Sequence, residues 1–262
     1  MRRLLKGETP EGPFERPRAR GGPLHTLAEM DQTLQAELAL SQLRTNDWPD
    51  FDVRGDHFDQ LDKDRARKEL HREQAGRCAF CERRIAPRRP ADATTPDASA
   101  TRIAHLIPIG GRPPRGVRGR PDLALTWSNL FGSCDTSAER GRRHCDDAQG
   151  DRPPPVDAPS PADADYAAWL EIQEDDGRFV PAPDAPPWVA PVLALWNLND
   201  DRLREARFYV IIGVEEELAE QADPIGWLRD RLEAVTAWDT DQPHPSAQRR
   251  WIEARLSRSD IG

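Results

Sequence analysis

The 262-residue chain has only four cysteines and no apolar run long enough to cross a membrane. Its opening, Met-Arg-Arg-Leu-Leu-Lys-Gly-Glu, passes directly into polar, proline-rich sequence and lacks the apolar centre of an export signal. These absences place the chain in the cytoplasm, where thiols stay reduced, so metal binding is favoured over a disulfide framework. No internal repeat is visible. Apolar residues make up 37% beside 32% charged residues and 25 prolines, a balance that predicts long solvated loops. The length allows one large or two small domains. A net charge of −9 argues against a simple nucleic-acid coat.

That average conceals a segment without lysine. Between Arg77 and Arg152 there are fourteen arginines and nine acids, a balance of +5, which leaves −14 for the remainder. Guanidinium forks suit bidentate phosphate contacts, and Arg112, Arg115, Arg118, Arg120, Arg142 and Arg143 are the candidates. No aromatic residue lies between Arg83 and Arg120, so base stacking has no support there.

Three blocks follow, 1–76, 77–152 and 153–262. In the first, Thr26 and Glu29 make a capping-box pattern, and Leu27, Met30, Leu34 and Leu38 recur at helical spacing. A second helix is predicted from Asp62 to Ala75, with Leu70 on its apolar side and Gly76 as its stop. In the middle block, 86–101 and the glycine-rich, basic 110–121 read as loops, and Thr101–Ile109 between them reads as a strand. The last block, after a proline-rich linker, predicts a hairpin through Asp175-Asp176-Gly177. Helices then start at Asn199, at Asp223-Pro224 and at Ser246. Trp188, Trp196, Trp227, Trp238 and Trp251 are expected as core or partner-facing anchors.

The four cysteines stand as Cys78-Ala79-Phe80-Cys81 and, further on, Cys134 and Cys145. A CxxC pair plus a second pair can close a tetrahedral thiolate site, for which Zn²⁺ is the natural occupant. His105 and Asn129 fall between the two pairs.

The order Arg-Ile-Ala-His105-Leu-Ile-Pro, Trp127-Ser128-Asn129-Leu130 and His144-Cys145-Asp146-Asp147 resembles the His–Asn–His (HNH) nuclease motif. More closely, Cys-Ala-Phe-Cys-Glu, His-Leu-Ile-Pro, Leu-Thr-Trp-Ser-Asn-Leu-Phe-Gly-Ser-Cys and His-Cys-Asp resemble the HNH endonuclease of Septu-type anti-phage systems and of some retrons. Met-Arg-Arg-Leu-Leu-Lys-Gly, Leu195-Trp196-Asn197-Leu198-Asn199, Leu203 and Arg207 fit the same family. The resemblance implies an α+β protein whose zinc-stapled ββα-metal core is flanked by helical segments. It implies structural zinc on Cys78, Cys81, Cys134 and Cys145, His105 as general base and Asn129 as the residue that orients it. It further implies DNA as substrate and a partner ATPase. Two positions depart from the family: an acid that ligates the catalytic metal is replaced by Ala104, and a common lysine by Gln149. The adjacent carboxylates Asp146 and Asp147 are the candidates for holding Mg²⁺ or Mn²⁺. The alternative function is a catalytically degenerate zinc module that binds DNA or docks onto an ATPase without cutting.

Overall fold

The computed structural model describes residues 8–15, 25–45, 57–86, 101–110, 119–136, 143–237 and 239–259. It is an α+β protein with two short antiparallel strand pairs among helices.

Helix α1, Leu27–Thr45, starts on the capping box. The Glu29 amide donates to Thr26 Oγ1 at 3.2 Å, and Glu29 Oε2 accepts from the Thr26 amide at 2.8 Å. Leu27, Met30, Leu34 and Leu38 are all buried, as their spacing predicts. Helix α2, Lys63–Glu73, is shorter than expected, because Asp62 is its cap, accepting from the Arg65 amide. Beyond Gln74 the chain leaves the helix through Ala75 and Gly76, both at positive φ.

Strands β1, Thr101–His105, and β2, Leu130–Cys134, pair antiparallel with Thr101 opposite Cys134 and His105 opposite Leu130. The register therefore holds a cysteine at one end of the pair and the histidine at the other. The strand expected to reach Ile109 stops at His105, three residues before Pro108. Helix α3, Asp146–Gln149, follows Cys145, whose φ is +59. The Gln149 side chain donates to the Leu106 carbonyl at 2.7 Å and fixes α3 against the exit of β1.

In the last block β3, Leu170–Ile172, pairs with β4, Phe179–Pro181, across the expected turn. Gly177 sits there at φ +69, and a Cβ on it would lie 2.1 Å from the Arg204 carbonyl oxygen, so only glycine fits. Helix α4, Val189–Leu195, was not foreseen: it is seven residues long, contains Pro191 and is apolar almost throughout, so it carries no amphipathic period. Helices α5, Asp201–Ala219, and α6, Pro224–Thr236, are capped by Asp200 and Asp223; α7, Pro245–Ser259, completes the chain of elements. Trp188, Trp196 and Trp251 are buried, Trp227 is partly buried, and Trp238 lies outside the described residues.

Three apolar cores result. The first joins the CxxC turn, Ala104, Phe131, Cys134 and Cys145 to Tyr166, Trp188, Trp196 and α4. The second joins α1 and α2 to Ile109, Leu125, Trp127 and Leu130. The third lies among α5, α6 and α7. The middle block thus supplies side chains to two cores.

Buried polar bonds strap the CxxC turn to the segment before α7. Arg77, 2% exposed, donates from Nη1 to the Glu82 carbonyl at 3.0 Å and from Nη2 to the carbonyls of Thr240 and Gln242, both at 2.7 Å. Glu82 accepts from the Ser246 amide and hydroxyl. Arg77→Met keeps the stem but leaves three carbonyls without this donor, so the unfolding free energy should fall by about 2–4 kcal/mol. Urea denaturation checks it; an unchanged midpoint would show that the strap is held elsewhere.

Candidate metal centre

Three pieces of chain bring the four sulfurs together. The CxxC turn is closed by the Cys78 amide on the Arg83 carbonyl and the Glu82 amide on the Cys78 carbonyl, with Glu82 itself at φ +61. The Ala79 amide donates to the Gly132 carbonyl at 2.9 Å and lays this turn against β2, whose last residue is Cys134. Cys145 is brought in from the other side by its own amide, which donates to the Trp196 carbonyl at 2.7 Å.

All four thiols are buried, unbridged and within 4.8 Å of one another. Cys78 and Cys145 are 3.7 Å apart, and Cys81 and Cys134 are 3.8 Å apart. Those separations are too long for a disulfide, which needs about 2.05 Å. They match the edge of a sulfur tetrahedron around zinc, about 3.8 Å for bonds of about 2.3 Å. The donor set is thus suited to a metal ion such as zinc. The sulfurs also compete for charge. Thiol contacts from Cys134, Cys145 and Cys78 hold Cys81 well below the usual thiol range. Burial, and then Cys134, Cys78 and Cys81, push Cys145 well above it. Cys134 is lowered by Cys145 but raised by more through Cys78, Cys81 and burial. A bound dication reverses this competition by stabilising every thiolate.

A polar clasp closes the excursion between Cys134 and Cys145. Asp147 Oδ2 accepts from the Thr136 amide at 2.8 Å and from its hydroxyl at 2.7 Å, while Oδ1 pairs with Arg102 on β1. Arg102 also faces Asp146 at 3.6 Å and Asp135 at 3.7 Å. Asp147 is therefore a structural acceptor here. Among the described residues, the cysteines are the one group of three or more His, Cys, Asp or Glu side chains close enough to hold a metal. Asp146 and Asp147 do not complete a second one.

His105 closes β1 and is 8% exposed. Its Nε2 lies 3.0 Å from the Ala124 carbonyl oxygen, which can only accept, so Nε2 carries a proton. The Phe58 ring packs edge-on against the imidazole with centroids 4.7 Å apart. Asn129 makes no bond to His105; its Oδ1 accepts from the Ile107 amide at 2.8 Å, and its Nδ2 donates to the carbonyls of Ile107 and Leu123. Asn129 thus ties the segment after β1, at Ile107, to Leu123, the residue before the carbonyl that holds His105. Ala104 is 1% exposed in the first core, so a carboxylate placed there would be buried.

Of the candidate phosphate contacts, Arg120 is exposed and forks onto Asp122 at 2.8 and 2.6 Å, and Arg143 is exposed. Arg112, Arg115, Arg118 and Arg142 lie outside the described residues. The sequence places Arg102 and His144 inside the motif segments but assigns neither a role, and Thr136, the partner of Asp147, carries no motif signal.

The fold and the site define an α+β protein with a buried four-cysteine cluster suited to a metal ion. No known protein-family model matches the chain, and no curated protein sequence matches it significantly.

The cluster should carry one zinc ion per chain by metal analysis, released as pH falls because the thiolates must regain protons. Cys78→Ser and Cys134→Ser should lose zinc and solubility together. Four freely titrating thiols in native protein would exclude metal occupancy.

Proposed function

We propose that this chain is an HNH-type endonuclease, stapled by zinc at Cys78, Cys81, Cys134 and Cys145, that cleaves DNA with Mg²⁺ or Mn²⁺ in anti-phage defence, together with a partner ATPase. The observation that supports the reading is His105: it ends the first of two antiparallel strands and donates from Nε2 to the Ala124 carbonyl, so in the neutral ring the lone pair falls on Nδ1. Asn129 braces that arrangement, and α3 follows the strand pair in β-β-α order.

In the proposed reaction Nδ1 takes a proton from water as its oxygen attacks phosphorus, and the bond from phosphorus to the leaving sugar oxygen breaks. The leaving oxygen takes its proton from solvent. Asp146 and Asp147 do not form a cation site by themselves. The Mg²⁺ or Mn²⁺ requirement comes from the family resemblance, as do the ATPase partner and the defence role. The role of His105 as base comes from the same resemblance and is supported by its bond to the Ala124 carbonyl.

Two observations favour a second reading, a zinc module that binds DNA or docks onto an ATPase without cutting. Ala104 offers no ligand, and Asp147 is occupied by Thr136 and Arg102.

Plasmid nicking with Mg²⁺ or Mn²⁺ separates the readings. His105→Ala should reduce nicking by about 10²–10⁴-fold while leaving zinc content and DNA affinity unchanged. Cleavage that survives His105→Ala would refute the base assignment. DNA binding without nicking, even with the ATPase present, would establish the second reading.

Replacing Arg112, Arg115, Arg118 and Arg120 by Gln should weaken DNA binding for every sequence. The slope of log affinity against log salt should flatten by about one unit per lost contact. An unchanged salt titration would remove those arginines from the interface.

A further inference from the structure

We infer that His144 is a positioning residue of the metal centre that donates an N–H hydrogen bond to two of its sulfurs and selectively quiets the Cys145 and Cys134 thiolates. The inference is independent of the nuclease reading and requires only a metal in the cysteine cluster. His144 is fully buried, with Nδ1 3.1 Å from Cys145 Sγ and 3.7 Å from Cys134 Sγ. Its other nitrogen, Nε2, is buried with no hydrogen-bond partner among the described residues.

These two facts fix the direction of the bond. Once a metal has taken the thiol protons, sulfur can only accept, so the contact exists only if Nδ1 carries a proton. Placing the single proton of a neutral imidazole on Nε2 would leave a buried donor without an acceptor and break the contact with sulfur. The proton on Nδ1 avoids both penalties. Four thiolates around one dication carry a formal charge of −2 in a buried place, so a donor aimed at them withdraws charge from the sulfurs it touches.

Ser133 Oγ lies 3.9 Å from Cys78 Sγ, but its hydroxyl proton goes to the Cys134 carbonyl at 3.3 Å, so it supplies no donor to the opposite side of the cluster. The arrangement is therefore asymmetric: the imidazole bonds Cys145 and Cys134 directly, has a lesser influence on Cys81, and leaves Cys78 without a donor among the described residues.

Cobalt-substituted full-length protein tests this, with His144→Leu removing the donor and His144→Asn restoring an N–H near the Nδ1 position. In His144→Leu the sulfur-to-cobalt charge-transfer bands should move to lower energy and zinc affinity should fall by about tenfold. N-ethylmaleimide should then label Cys145 and Cys134 first, as mapped by mass spectrometry. His144→Asn should return all three readouts toward wild type. If His144→Leu does not fold, His144→Asn is compared with His144→Gln, which places its N–H near Nε2; only Asn should match wild type. Identical spectra and labelling in wild type and His144→Leu, equal behaviour of Asn and Gln, or failure of the wild type to bind cobalt would each overturn the inference.

Discussion

Four sulfurs must meet at separations near 3.8 Å, although they come from a turn, a strand end and a helix start that are far apart in sequence. The surrounding structure is arranged to permit that meeting: Ala79 pins the turn to β2, Trp196 receives the Cys145 amide, and Asp147 clasps Thr136. Each bond is modest alone. Together they leave little conformational entropy for a metal to remove on binding.

Charged groups around this centre serve structure as much as chemistry. Arg77 and Arg102 both come from the lysine-free, arginine-rich segment, and one crosslinks backbone carbonyls while the other gathers three carboxylates. A planar fork with several donors suits both tasks better than a single ammonium group. Local positive charge in the sequence is therefore a poor count of cations presented to a phosphate backbone. Arg120, turned onto Asp122, makes the same point at the surface.

The elements with strong local signals were legible in the sequence: the capping box of α1, the proline-led start of α6 and the glycine turn of the hairpin. The cysteine set was legible because a CxxC pair followed by a second pair is a common spacing for a four-thiolate metal site. The role of Asn129 was legible only in part, since its bonds run to Ile107 and Leu123 rather than to the imidazole. The partners of Asp147 were not legible, because an acid that clasps a threonine and an arginine has the same sequence appearance as one that binds a cation. Helix α4 escaped notice because it is apolar almost throughout, so burial, not periodicity, makes it helical.

Gln149 has a consequence for modularity. Its amide nitrogen binds the Leu106 carbonyl, and its amide oxygen accepts from the Trp196 indole at 2.7 Å, so one side chain spans the strand exit and the tryptophan layer. With Phe80 tilted against the same indole at 4.9 Å and Trp127 committed to the α1–α2 side, the described residues of the cysteine-bearing segment have no interior of their own. The segment cannot be excised or transplanted as a cassette.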